Sequence, residues 1–501
     1  MSRSLVQLGA LLALRWQMAR SAGVRLTVVL GCAFVAWLLV QAAQVGERID
    51  AAALGTAVQL APATYLGFGV LAVLAPLAAG GSSELVPPDE LVAFPVRPLT
   101  HFAGGLLLAP FNLVWIAQLL ALAALTSCLT RDGDLLRGAA TTTAYVLAVT
   151  VLGQALAWGV AGLRRTGAGR RVVLAAGAAV LAAFVVLVRT GSLDDLLGAG
   201  PTRTVVAGVI AGGDGHRQQW SVITGALLAA ALLGLVLGAW TCRWALVRPG
   251  DLLDHRTTGS VRRRAVRSGP LRELLAVDRA SVWRAPALRR GGLVLAVLPG
   301  LLAAGAALPW ASLVVLPGVV AAGAALLFGV NAFSLDASGS LWLSSLPHDP
   351  GLALRAKALV LTETVLSAVV VAVLAGSLRS PGAPTAAELT ALVSSAVLCT
   401  AVVVALALHA SVRRPHRAEL RGRRDAVAPP GALALASVRL ATPTALVSVL
   451  LGTAGGTGVW WLPPALAVPL LALCALSVAR TVRRWGDPRQ RAFVVHTVTF
   501  G

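Results

Sequence analysis

RWALVRPGDLLDHRTTGSVRRRAVRSGPLRELLAVDRASVWRAPALRR, residues 243–290, decides how this chain is read. Twelve arginines stand here against Asp251, Asp254, Glu273 and Asp278, and long apolar runs flank the segment on both sides. The chain after it repeats the plan of the chain before it. Two membrane-embedded halves joined by a basic linker follow: 1–247 as the first half, 248–268 as the linker and 269–501 as the second.

Composition leaves little room for a water-soluble domain. The 501 residues are 57% hydrophobic and 13% charged, with a mean hydropathy of +0.81, whereas a soluble surface needs far more polar groups. The net charge of +21 comes in clusters between apolar runs rather than in one patch. That placement fits cytoplasmic loops held against an anionic leaflet and argues against nucleic acid. Cys32, Cys128, Cys242, Cys399 and Cys474 lie in or beside apolar runs. Their spacing is neither that of a disulfide framework nor that of a zinc site, so they read as small packing residues.

A helix needs about 20 mostly apolar residues to cross a bilayer. Twelve runs qualify: 25–45, 54–80, 102–130, 139–163, 171–189, 220–243, 291–308, 311–334, 352–378, 386–412, 432–452 and 458–479. The expected fold is therefore all-α, with about 12 transmembrane helices in two pseudo-repeated six-helix halves. Residues 1–43 imitate a secretory signal, but the region before the run is long and amphipathic, so it reads as an uncleaved first span. Arginine-rich loops alternate with neutral or slightly acidic ones. By the positive-inside rule, both termini then face the cytoplasm of a multi-pass plasma-membrane protein.

The duplication shows in residues as well. Leu8–Leu14 matches Leu271–Val277 ahead of the first span of each half, and Phe94–Pro98 matches Leu346–Pro350 ahead of the third. The cluster Arg164–Arg171 has its counterpart in Arg413–Arg424. Internal symmetry of this kind is common in transporters. Two stretches, about 3–22 and 269–288, pair an apolar face with basic residues. They read as helices lying in the membrane surface, either as simple anchors or as working parts.

The second-to-third loop, Glu84 to His101, is short, framed by Pro87, Pro88, Pro95 and Pro98, and carries Glu84, Asp89 and Glu90 where other inner loops are basic. Its twin, Asp336 to Pro350, offers Asp336, Pro347, His348, Asp349 and Pro350. Proline fixes the shape of such a loop and lowers the ordering cost of binding. It reads as a docking knob for a protein partner, or as a rigid connector.

An amphipathic helix, two spans, a PVRP loop (95–98) and a span opening GGLLLAPFN (104–112) resemble the permease of ABC exporters of the type-2 class, which export drugs and polysaccharides. The second half is similar, with NAFSLD (331–336) and LSSLPHDPGLALRAKAL (343–359). The resemblance implies elbow helices at the surface. It also implies coupling loops that seat ATPase subunits through Glu84, Asp89, Glu90, Pro95, Arg97, Pro98, Asp336, Pro347, His348, Asp349 and Pro350. In that family an external re-entrant or helical element precedes the sixth span. Thr190–Gln219 is long enough for one, and Gly452–Gly458 is not.

The chain itself carries no phosphate-binding loop. Its one lysine, Lys357, lacks the glycines such a loop needs. The resemblance therefore places ATP-Mg on a separate ABC ATPase (nucleotide-binding) subunit, with two copies expected and no cofactor in this chain. Polar groups inside spans are costly and mark candidate substrate paths or interhelical bonds. These are Asn112, Gln118, Gln154, Asn331, His409 and Glu363, the last being the acidic residue set deepest in a span. No catalytic triad, metal spacing or carboxylate pair stands out. The function expected is export of a hydrophobic or amphipathic substrate. The alternatives are a twelve-span secondary transporter of the major-facilitator kind and a membrane glycosyltransferase or polymerase. The first would want a glycine- and arginine-rich second-to-third loop; the second would want an external acid pair, for which Asp194 and Asp195 are the candidates.

Overall fold

In a bilayer every backbone N–H and C=O must be satisfied within its own segment, so long apolar runs become helices. The structure, a computed structural model, is helical throughout its described residues, with no strand among them. Those residues are 6–7, 9–10, 13, 33, 35–48, 50–79, 96–108, 113–130, 133–192, 200–247, 269–336, 339–346, 349–416 and 430–500. Among the described residues ten helices are long and apolar enough to cross a membrane, and the chain is a multi-pass membrane protein.

Twelve runs were expected, and the difference has a local cause in each case. The first run, 25–45, lies partly outside the described residues, although 35–43 is helical. The third is seen as two shorter helices on either side of 109–112, which are also outside them.

The chain divides into two compact units near Ser260. The first contains α1 (Val45–Arg48), α2 (Ala51–Ala79), α3 (Pro98–Leu108), α4 (Leu113–Leu129), α5 (Leu135–Leu163), α6 (Gly167–Thr190), α7 (Pro201–Gly213) and α8 (Arg217–Val247). Its core is the packing of α5 on α8, with α2, α4 and α7 also against α5. Tyr65, Phe68, Tyr145 and Val209 are buried there. The Tyr65 hydroxyl bonds to Thr142 at 2.7 Å and to Thr126 at 3.2 Å, which satisfies the polar tip of a ring buried among apolar side chains.

The expected element before the last span of this unit is α7, which is buried against α2, α5 and α8. Gly215, at φ +80°, makes the tight turn from α7 into α8, a backbone region glycine enters without strain. By contrast, the apolar stretch of α6 is exposed within the unit.

The second unit contains α9 (Pro270–Arg284), α10 (Pro286–Gly305), α11 (Trp310–Leu313), α12 (Leu316–Phe328), α13 (Gly339–Ser345), α14 (Pro350–Gly376), α15 (Ala386–Arg413), α16 (Pro430–Gly456), α17 (Leu462–Gly486) and α18 (Pro488–Phe500). Here α10 packs on α14, α15 on α16 and α17, and α12 on α14, α15 and α16. Small residues let the backbones approach: a Cβ on Gly300 of α10 would collide with the Ala372 carbonyl of α14. The α16–α17 connection is only Thr457–Trp461, too short for a counterpart of α7.

Candidate functional site

Polar and charged groups in the second unit converge at the end of the bundle where α14 begins. Asp349 caps that helix, its carboxylate accepting from the Gly351 N–H at 3.0 Å, and Pro350 takes the first position. Both choices suit a helix start: the side-chain oxygen satisfies a free N–H, and proline needs none.

Two turns further along, Lys357 is buried, with 6% exposure. Its ammonium donates to Asp278 Oδ1 and to Asp336 Oδ1, each at 2.6 Å. Asp278 is in the middle of α9 and 8% exposed. Asp336 closes the turns that run from Gly329 after α12. One side chain thus joins α9, the turn after α12 and α14. Burying three ions is costly unless each finds a partner, and here one ammonium serves two carboxylates. The Asp336 Oδ2 atom is buried without a hydrogen-bond partner among the described residues.

Asp278 falls on the inward stripe of α9, in register with the partly buried Leu271, Leu274, Leu275 and Val282. Its neighbour Arg279 lies on the outward side and meets Glu363, six residues beyond Lys357 on α14. Its Nε donates to Oε2 at 2.7 Å and its Nη2 to Oε1 at 2.5 Å. Consecutive residues of α9 therefore grip α14 at two heights, about 9 Å apart by helix rise. The inner pair is buried. The outer one is about half exposed, and such exposed pairs contribute little.

Further bonds fix the same end. Trp485 of α17 stacks on Phe333 with centroids 4.6 Å apart, and its indole donates to the Pro350 carbonyl at 2.8 Å. The Ala332 N–H donates to Ser411 Oγ at 2.9 Å, and the Gln490 amide donates to the Val412 carbonyl at 2.6 Å. The short helix α13 packs on α18, where the Ser340 and Thr499 hydroxyls meet at 3.0 Å. On α13 and just after it, Trp342 is 77% exposed and Leu346 55%.

Not all the residues marked in the sequence come together here. Glu84, Asp89, Glu90, Pro95, Asn112, Pro347 and His348 lie outside the described residues. Pro98 opens α3, and the Arg97 backbone N–H donates to Gln7 Oε1 at 3.3 Å, so the first surface segment also touches the start of a third run. Gln118 is half-buried on α4 and Gln154 buried on α5. Asn331 sits in the turn after α12, where it donates to the His416 carbonyl and accepts from the Phe333 N–H. Its role there is to hold a turn. Glu363 is held by Arg279 on the outward side of α14.

Sequence reading missed Asp278 and Lys357 as partners. The signal was a pair of opposite misfits: an aspartate in the apolar stripe of α9, and the only lysine of an arginine-rich chain inside an apolar run. Comparison with protein-family models, with curated proteins and with solved structures finds no match for this chain.

Proposed function

We propose that this chain is the transmembrane permease subunit of an ATP-driven exporter, built as twelve spans in two six-span halves with both termini cytoplasmic. The observation that carries this reading is the loop between α12 and α14. It presents a large apolar side chain, Trp342, on a short helix. Its two ends are pinned, by Asp336 to Lys357 and by Pro350 to Trp485. Exposed tryptophans in membrane proteins also serve as headgroup anchors, but this one stands on a braced platform. A docking knob needs both features, because aromatic anchors on rigid elements dominate binding energy.

On this reading separate ATPase subunits, two copies with ATP-Mg, seat on the Asp336–Pro350 loop and on the Glu84–His101 loop. Closure of the ATPases pushes α13. The push passes through the Ser340–Thr499 contact to α18, through Asp336–Lys357 to α14 and α9, and through Trp485 to α17. Cargo moves outward and is hydrophobic or amphipathic, in keeping with the few charges along the spans.

A second reading, a secondary transporter driven by an ion gradient, draws on the buried lysine between two carboxylates, because ionisable groups buried in a membrane protein mark ion and proton pathways. Purification in mild detergent separates the two. The exporter reading expects an ATPase to co-purify and to lose its dependence on this chain when Trp342 and Leu346 become alanine. Uptake into vesicles on an ion gradient, without ATP, would overturn it.

A further inference from the structure

Counting charge at the Lys357 cluster gives one ammonium and two carboxylates, hence a surplus negative charge if both acids ionise. The surplus is not solvated: the Lys357, Asp278 and Asp336 side chains are 6%, 11% and 13% exposed. Both acids spend one oxygen on the same ammonium, and Asp336 Oδ2 is left buried and unbonded among the described residues. An uncompensated buried charge is far costlier than a neutral acid. A single proton on either carboxyl would leave one ammonium facing one carboxylate, with the second acid neutral.

We propose that Asp278, Lys357 and Asp336 form a binding site for one proton, which when occupied locks α9 onto α14 and onto the turn after α12. The inference goes beyond the exporter reading and holds equally for a gradient-driven carrier. It rests on geometry and charge balance, and the titration of Asp278 agrees with it. Burial raises the Asp278 carboxyl above its ordinary value, Lys357 pulls the other way and Asp336 adds to the rise. Other charges on the helices packed with α9 are Arg355 and Glu363 on α14 and Arg289 and Arg290 on α10. Of these Glu363 is taken by Arg279, and the charges that act on Asp278 are those of Lys357 and Asp336.

The sign follows from linkage. The folded chain keeps this proton at pH values where the unfolded chain has released it. The stabilisation is therefore complete below the unfolded carboxyl value and is lost as pH rises through the elevated native one. The test uses the full chain in lipid nanodiscs, read by infrared spectroscopy over a pH series. Wild type is expected to show a protonated-carboxyl absorption that persists above the ordinary carboxylate range and disappears on further alkalinisation. The band is expected to be missing from both Asp278→Asn and Asp336→Asn, since either leaves a balanced lysine–carboxylate pair. A second measurement guards against a poorly folded variant: the melting temperature of wild type should fall as pH rises, and that of either amide variant should not. No wild-type band above the ordinary carboxylate range, or one that survives in either variant, overturns the proposal. So does a wild-type melting temperature that is flat across the pH series.

Discussion

The ammonium of Lys357 is 2.6 Å from Asp278 Oδ1, a bond between residues 79 apart in sequence that fastens α9 to α14. The strength of that fastening comes from burial. Removing the lysine leaves the carboxylate it pairs with in the interior with no counter-charge, which is worse than never having had the cluster. Lys357→Met should cost about 3–5 kcal/mol, the usual penalty for breaking a buried pair. The variant with Asp278→Asn and Asp336→Asn added should recover most of that loss, because no ion then needs a partner. Thermal unfolding in detergent of wild type, the single variant and the triple variant measures both quantities. A single variant as stable as wild type would show that the cluster does not hold α9.

Arg279, the very next residue, offers the contrast. It also bonds to α14, through Glu363, but both side chains are nearly half exposed. Water and salt already compensate exposed charges, so the pair adds little. Arg279→Gln should leave the melting temperature unchanged within error at physiological salt. Equal destabilisation by the Arg279 and Lys357 variants would mean that burial is not what distinguishes them.

How much of this was legible in the sequence differs from part to part. Apolar run length gave the spans, since backbone satisfaction in lipid leaves helix as the outcome. The stripe at Leu271, Leu274, Leu275 and Val282 predicted a helix over about 269–288, and the structure has one at Pro270–Arg284. The length of Thr190–Gln219 foretold α7, and the short Gly452–Gly458 connection foretold the lack of a counterpart. The ion cluster was not foretold, because hydropathy treats Asp278 as one more polar residue of a basic helix and says nothing of what α14 brings to it. Glu363 shows what depth leaves open. Its place deep in an apolar run admitted either a substrate path or an interhelical bond, and in the structure it bonds to Arg279 of α9. Depth along a helix is readable from sequence; the direction a residue faces depends on its neighbours.

Close approach of α10 and α14 gives a third prediction. Gly300 has no room for a Cβ, the nearest atom being the Ala372 backbone carbonyl, which cannot swing aside as a side-chain tip could. Gly300→Leu should therefore force the helices apart and destabilise the unit by about 1–3 kcal/mol, the range for overpacking. Gly305, in the same helix, has nothing within 4 Å of its would-be Cβ, so Gly305→Leu is the control. Comparable losses of folded yield from both substitutions, measured by size-exclusion chromatography, would rule out close packing as the cause.

Trp342 supplies the prediction that bears most directly on function. At 77% exposure it contributes little to folding of the isolated chain, so Trp342→Ala should leave the melting temperature close to that of wild type. An exposed aromatic anchor that a partner covers typically loses 2 kcal/mol or more on truncation, roughly thirtyfold in affinity. If the exporter reading holds, binding of an ATPase that co-purifies should weaken by about that factor, and its transport-coupled turnover should fall with it. The Ser340→Ala variant adds a separate test of the platform. It removes the hydroxyl contact with Thr499 that ties α13 to α18 while leaving Trp342 itself in place. If force passes from the knob into the bundle through that contact, Ser340→Ala should retain most ATPase binding but lower cargo movement per ATP. If α13 were merely an adhesive surface, binding and transport would decline together in both variants. Measured affinity and measured coupling thus separate the anchoring role of Trp342 from the bracing role of the residues beneath it.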